Sequence, residues 1–104
     1  MKTRNAARAF LISGLVVLGA APAVFAGAIA ITGSTTSHSG GTFFVSDTKA
    51  DGHSAYGNWG GTSGNRLQNN SGSGTTVSRF VGTVGAHRSC VDQFGPDPCS
   101  AYGL

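Results

Sequence analysis

Two cysteines, three histidines and four aspartates are the residues of this chain whose types and spacing could do chemistry. Cys90 and Cys99 enclose eight residues, Val91 to Pro98. In an oxidising compartment two such cysteines pair by default. Closing a loop of that size restricts the unfolded chain and stabilises the fold by about 2–3 kcal/mol on the chain-entropy account. Pro96 and Pro98 lack backbone donors, so the enclosed segment reads as a stiff turn and not as a central strand. The loop has two readings. It staples a small domain, or it presents Asp92, Gln93 and Phe94 as a rigid interaction loop, as small extracellular inhibitors present a tethered loop to a protease cleft. A zinc site is a poor reading, because two cysteines this far apart with His87 nearby lack the paired spacing of zinc ligands. No metal and no cofactor is expected.

Asp47, Asp51 and Gly52 occupy the first, fifth and sixth places of a calcium-loop pattern. Lys49 stands at the third place and Asn58 at the twelfth, so a cation would meet an ammonium where it needs an oxygen. An Asp/Gly turn between strands explains the same residues. His53 lies close enough in sequence to Asp47 and Asp51 for a hydrogen-bonded Asp–His pair, which is all that a hydrolase reading has to stand on. No G-x-S-x-G elbow is present, and His38, His53 and His87 are far apart along the chain. The chain is therefore read as non-enzymatic. Tyr56 and Trp59 read first as core or half-buried sheet residues. Set among Asn, Ser and Gly, they would otherwise form an exposed aromatic patch suited to a carbohydrate or cell-wall ligand.

These residues need elements to position them. Ala28–Thr32 is a short apolar strand, and Gly33–Gly41 reads as a polar, flexible connector. Thr42–Thr48 alternates, with Phe43, Val45 and Asp47 on one side and Phe44 and Ser46 on the other. Lys49–Gly52 is a turn from which His53–Trp59 returns. Arg66–Asn69 is a short strand, Asn70–Gly74 a second turn, and Thr75–Val84 the strongest strand pattern, rich in β-branched and aromatic residues. Arg88–Leu104 carries both cysteines. No 3.6-residue period runs through ten or more residues after Ala26. The expected fold is all-β: an antiparallel meander of five or six strands, a small sandwich or partly open barrel, with one disulfide.

The first 26 residues read as a secretory signal peptide helix. Lys2, Arg4 and Arg8 make a basic start, Phe10–Leu18 is apolar, and Val24-Phe25-Ala26 offers a cleavage site. The apolar run falls short of the roughly 20 residues of a membrane span. Cleavage after Ala26 would leave 78 of the 104 residues. The expected organisation is signal peptide 1–26, N-terminal strand and linker 27–41, and β domain 42–104. The formal charge of +3 belongs to the leader, because the remainder carries four bases and four acids. That removes the electrostatic case for nucleic acid and for a membrane surface after cleavage.

The segment Asp47-Thr48-Lys49-Ala50-Asp51-Gly52-His53-Ser54-Ala55-Tyr56, followed by a Gly/Asn/Ser-rich middle and the Cys90…Cys99 tail, resembles a group of small secreted proteins of actinobacterial type. The resemblance spans about Phe44 to Tyr102 and departs at the tail, where Ala101 separates Ser100 from Tyr102. It implies secretion and a β architecture, and it carries over no activity and no catalytic residue. The expectation is a monomeric, secreted, extracellular module that binds a protein or a cell-wall or carbohydrate ligand. The alternative is an inhibitor or antagonist that acts through the Cys90–Cys99 loop.

Overall fold

The computed structural model describes residues 27–104, so the signal-peptide reading of 1–26 lies outside the described residues. Seven strands form: β1 Ile29–Ile31, β2 Ser34–Ser39, β3 Thr42–Asp47, β4 Ser54–Trp59, β5 Arg66–Asn69, β6 Thr76–Phe80 and β7 His87–Asp92. Two antiparallel sheets result, one in the order β1-β2-β3-β6 and one in the order β5-β4-β7. Cys90 and Cys99 are joined by a disulfide. The all-β fold with one disulfide is thus present, with seven strands where five or six were expected.

The polar stretch read as a connector is strand β2. It carries no apolar residue, so hydrophobic alternation gave no sign of it. Its position is set by two-residue hairpins on both sides. Ile31 pairs with Ser34 across Thr32-Gly33, and Ser39 pairs with Thr42 across Gly40-Gly41. Gly40 (φ 57°) and Gly41 (φ 85°) both take the left-handed conformation that such a tight turn demands. The inward residues of β2, Ser34 and Thr36, are fully buried. They face polar partners, which is why a strand of serines and threonines can line the interior.

β3 follows its sequence pattern, with Phe43, Val45 and Asp47 buried. Its partners are β2 and β6, not the β4 that the Lys49–Gly52 turn suggests. The Asp47–Gly52 region does not close a hairpin onto β4, and the fold is no simple meander. Thr48 to His53 crosses from one sheet to the other, and β4 pairs with β5 and β7 instead. Side chains hold the crossing: Asp47 Oδ1 accepts from Lys49 N at 3.2 Å, and Asp51 Oδ1 from His53 N at 3.0 Å. Two acids spent on local backbone caps make a wide corner instead of a tight reversal.

The core between the sheets holds Phe43, Val45, Ala55, Leu67 and Val84, with Trp59, Val77 and Val81 packed against it. The sheets pack tightly against each other at Gly57. A Cβ there would lie 2.5 Å from Thr36 Cγ2 and 2.7 Å from Phe43 Cζ. The strongest strand pattern, Thr75–Val84, yields only β6, an edge strand whose last three residues are exposed. Gly82, at φ 89°, turns the chain away, and Val84 drops into the core. The outer edge of β7 is covered by the tail. Val91 N meets Pro98 O at 3.0 Å, Ser100 N meets Ser89 O at 2.8 Å, and Gly103 N meets His87 O at 2.9 Å. A covered edge offers no ladder to a foreign strand.

Candidate functional site

Strand alternation divides the β5-β4-β7 sheet into two faces. Ala55, Gly57, Trp59, Leu67, Asn69, His87, Ser89 and Val91 point to the core. Tyr56, Asn58, Arg66, Gln68, Arg88, Cys90 and Asp92 point outward, and the registers place them side by side. The Cys90–Cys99 loop folds back over this outer face. Tyr56 lies directly across from Cys90, and its hydroxyl donates to Asp97 Oδ2 at 2.6 Å. Asp97 Oδ1 accepts from Gln93 N at 3.1 Å, which closes a turn inside the loop. The disulfide, the Tyr56–Asp97 bond and the Val91–Pro98 bond therefore tie the base of the loop at three points.

The electrostatics of this latch are consistent with its geometry. Burial, the hydrogen bond to Asp97 and the Asp97 charge push the Tyr56 phenol up to about 12. The same hydrogen bond, with the Gln93 amide, holds the Asp97 carboxyl below its ordinary value. Arg66 lies over the Tyr56 ring with its guanidinium carbon 3.5 Å from the centroid. Arg66 in turn bonds Asp92 Oδ2 at 3.1 Å, and Gln68 Nε2 reaches the same oxygen at 2.9 Å. Arg88 donates to Asn58 Oδ1 at 2.8 Å and covers Tyr102.

The candidate aromatic patch of Tyr56 and Trp59 is not formed. Residues three apart on a strand face opposite sides. Tyr56 is only 5% exposed beneath Arg66, whereas Trp59 packs tilted on Phe43 with its ring centroid 5.7 Å away. Of the loop candidates, Asp92 belongs to the Arg66–Gln68 cluster, while Gln93 and Phe94 stand out at the tip. Phe94 is wholly exposed. Beside the loop runs a groove of about 390 Å³ lined by Ile31, Val91 and Pro98 and by the polar Lys49, Asp51 and Gln93. The Asp–His pair suggested for His53 is made by its backbone N–H to Asp51, and its ring makes no hydrogen bond among the described residues.

Sequence reasoning missed a buried polar chain between the sheets. His87 Nδ1 lies 2.8 Å from Thr36 Oγ1, Thr36 Oγ1 lies 2.9 Å from Ser89 Oγ, and Ser89 Oγ donates to Ile29 O at 2.6 Å. Burial, and to a lesser degree the charge of His38, keep the His87 imidazole below its ordinary 6.5, against an opposing pull from the Gly27 backbone. No spacing rule joins β2 to β7, so only the isolated hydroxyls in otherwise featureless segments could have hinted at it. Among the described residues, no three His, Cys, Asp or Glu side chains form a metal cluster, and no helix is long and apolar enough to cross a membrane.

Fold and site together define, among the described residues, an all-β fold of two antiparallel sheets stapled by one disulfide, with a tethered, exposed loop. No protein-family model, curated protein or solved structure matches the chain.

Proposed function

We propose that the protein is a secreted, non-enzymatic interaction module that engages an extracellular protein partner through the Cys90–Cys99 loop. The observation that carries this reading is Phe94: a wholly exposed aromatic ring at the tip of a loop tied at its base by a disulfide and by Tyr56. A large apolar side chain held in water has an unmet tendency to be buried. Each ordered residue on a tethered loop also spares the binding step part of its ordering cost. Aromatic anchors of this kind dominate binding energies at interfaces. The groove beside the loop, of mixed apolar and polar lining, offers a second contact for the same partner. The carbohydrate reading has less support, since Tyr56 is buried beneath Arg66 and the half-buried Trp59 faces the other side of the sheet.

A photo-crosslinking amino acid placed at Phe94 tests this. It should capture one partner from extracellular material, and the unlabelled oxidised protein should compete. Phe94→Ala should lower affinity for that partner at least tenfold while leaving the melting temperature within about one degree. Equal capture by a crosslinker at Thr62, on the far β4–β5 loop, would sink the proposal.

A further inference from the structure

We infer that His38 and His87 form a binding site for a divalent transition metal of the zinc class, at the end of the fold where β2 meets β7. The argument begins with protons. The single hydroxyl proton of Ser89 goes to the Ile29 carbonyl, which can only accept. Ser89 must therefore accept from Thr36, and Thr36, its own proton spent, must accept from His87 Nδ1–H. On these directions the chain favours the tautomer of His87 with its proton on Nδ1 and a lone pair on Nε2, against the opposing pull of the Gly27 backbone. Nε2 is buried and has no hydrogen-bond partner among the described residues. A buried lone pair without a donor is costly. It is also the state a metal ligand requires, and ligating histidines commonly have the other ring N–H anchored in this manner.

The second ligand stands beside it. The His38 and His87 ring centroids are 5.4 Å apart. Two imidazoles that share a tetrahedral Zn²⁺, at Zn–N distances of about 2.0 Å, hold their centroids roughly 5 Å apart. Leu104 O lies 3.2 Å from His38 Nε2. That matches the ~3.3 Å between neighbouring ligand atoms of a tetrahedral zinc site. Gly27 keeps the place open: a Cβ there would stand 2.7 Å from His38 Nε2 and run into Leu104 O. Two nitrogens, one backbone oxygen and water make a donor set of borderline softness, suited to Zn²⁺ more than to Ca²⁺ or Mg²⁺. Binding involves no change of oxidation state. His87 offers a lone pair it already holds. His38 gives up its Nε2–H bond to Leu104 O, and its proton passes by way of solvent to Nδ1. The inference does not depend on the proposed role of Phe94, which lies on a different loop.

The test is titration of the oxidised, chelator-treated protein with Zn²⁺ alone, followed by calorimetry and by imidazole ¹⁵N resonances. One equivalent should bind, with the Nε2 signals of His38 and His87 shifting and those of His53 unmoved. His38→Gln should weaken binding at least tenfold, and His53→Gln should not change it. Because His87→Gln risks the fold, the half-buried His38 carries the decisive comparison. Absence of saturable binding, equal affinity in His38→Gln, or shifts confined to His53 would each overturn the site.

Discussion

Tyr56 and Asp97 show how one hydrogen bond sets the posture of a loop. The phenol is raised to about 12 and the carboxyl is lowered, so each group favours the ionisation state that keeps the bond. The signs follow by linkage. The raised phenol contributes stability below its unfolded value near 10, and this is lost as pH climbs through about 12. The depressed carboxyl contributes stability above its unfolded value of 3.8, and this is lost as pH falls through its lower folded value. Asp97→Asn removes the carboxylate's share of both shifts and leaves the burial of Tyr56, its largest cause, in place. It should lower the Tyr56 transition in ultraviolet pH titration below that of the parent and lower stability by about 1 kcal/mol at neutral pH. An unmoved Tyr56 titration would mean that the latch is not formed in solution. Little of this was legible in sequence. Tyr56 and Asp97 stand 41 residues apart, and nothing local announces that a phenol and a carboxylate will meet.

Strand β4 packs tightly against the facing sheet at Gly57. Its φ is not in the left-handed region, so the demand there is for space and not for backbone freedom. Gly57→Ala should overpack the core against Thr36 and Phe43 and cost about 1–3 kcal/mol, measured by urea denaturation. The same change at Gly61, where a Cβ meets nothing within 4 Å, tests backbone strain alone, because its φ is 71°. At this scale the alternation of β3 was readable, since period two in Phe43, Val45 and Asp47 survives any choice of partner. β2 was not readable: its inward Thr36 is satisfied by hydroxyl and imidazole partners from β7, and Ser34 by the Tyr56 carbonyl of β4. β6 was overvalued, because β propensity measures fit to a pleated surface and says nothing of whether that surface is an edge.

The whole molecule is small, and its purely apolar core is a short run of side chains supplemented by Ser34, Thr36, Asn69, His87 and Ser89. Asn69 ties the sheets directly, donating to Val45 O at 3.1 Å and to Thr75 O at 3.0 Å. Such a core leaves a narrow margin, so the staple matters. Replacing Cys90 and Cys99 together by Ala should reduce unfolding free energy by about 2–3 kcal/mol in urea. Because Asp97 and Pro98 still tie the loop, the folded double variant should keep the raised Tyr56 titration. Loss of that titration in a folded variant would show that the disulfide alone orders the loop.

The sequence by itself determined the all-β class, the disulfide and the alternation of β3, because these follow from local chemistry: turn residues, a nearby pair of cysteines and a period of two. Only the tertiary structure decided which sheet each strand joins, that Tyr56 and Trp59 look in opposite directions from one covered strand, and that His38, His87 and Gly27 converge. Those outcomes depend on pairings between distant segments, and a polar interior satisfied by such pairings leaves no hydrophobic period to read.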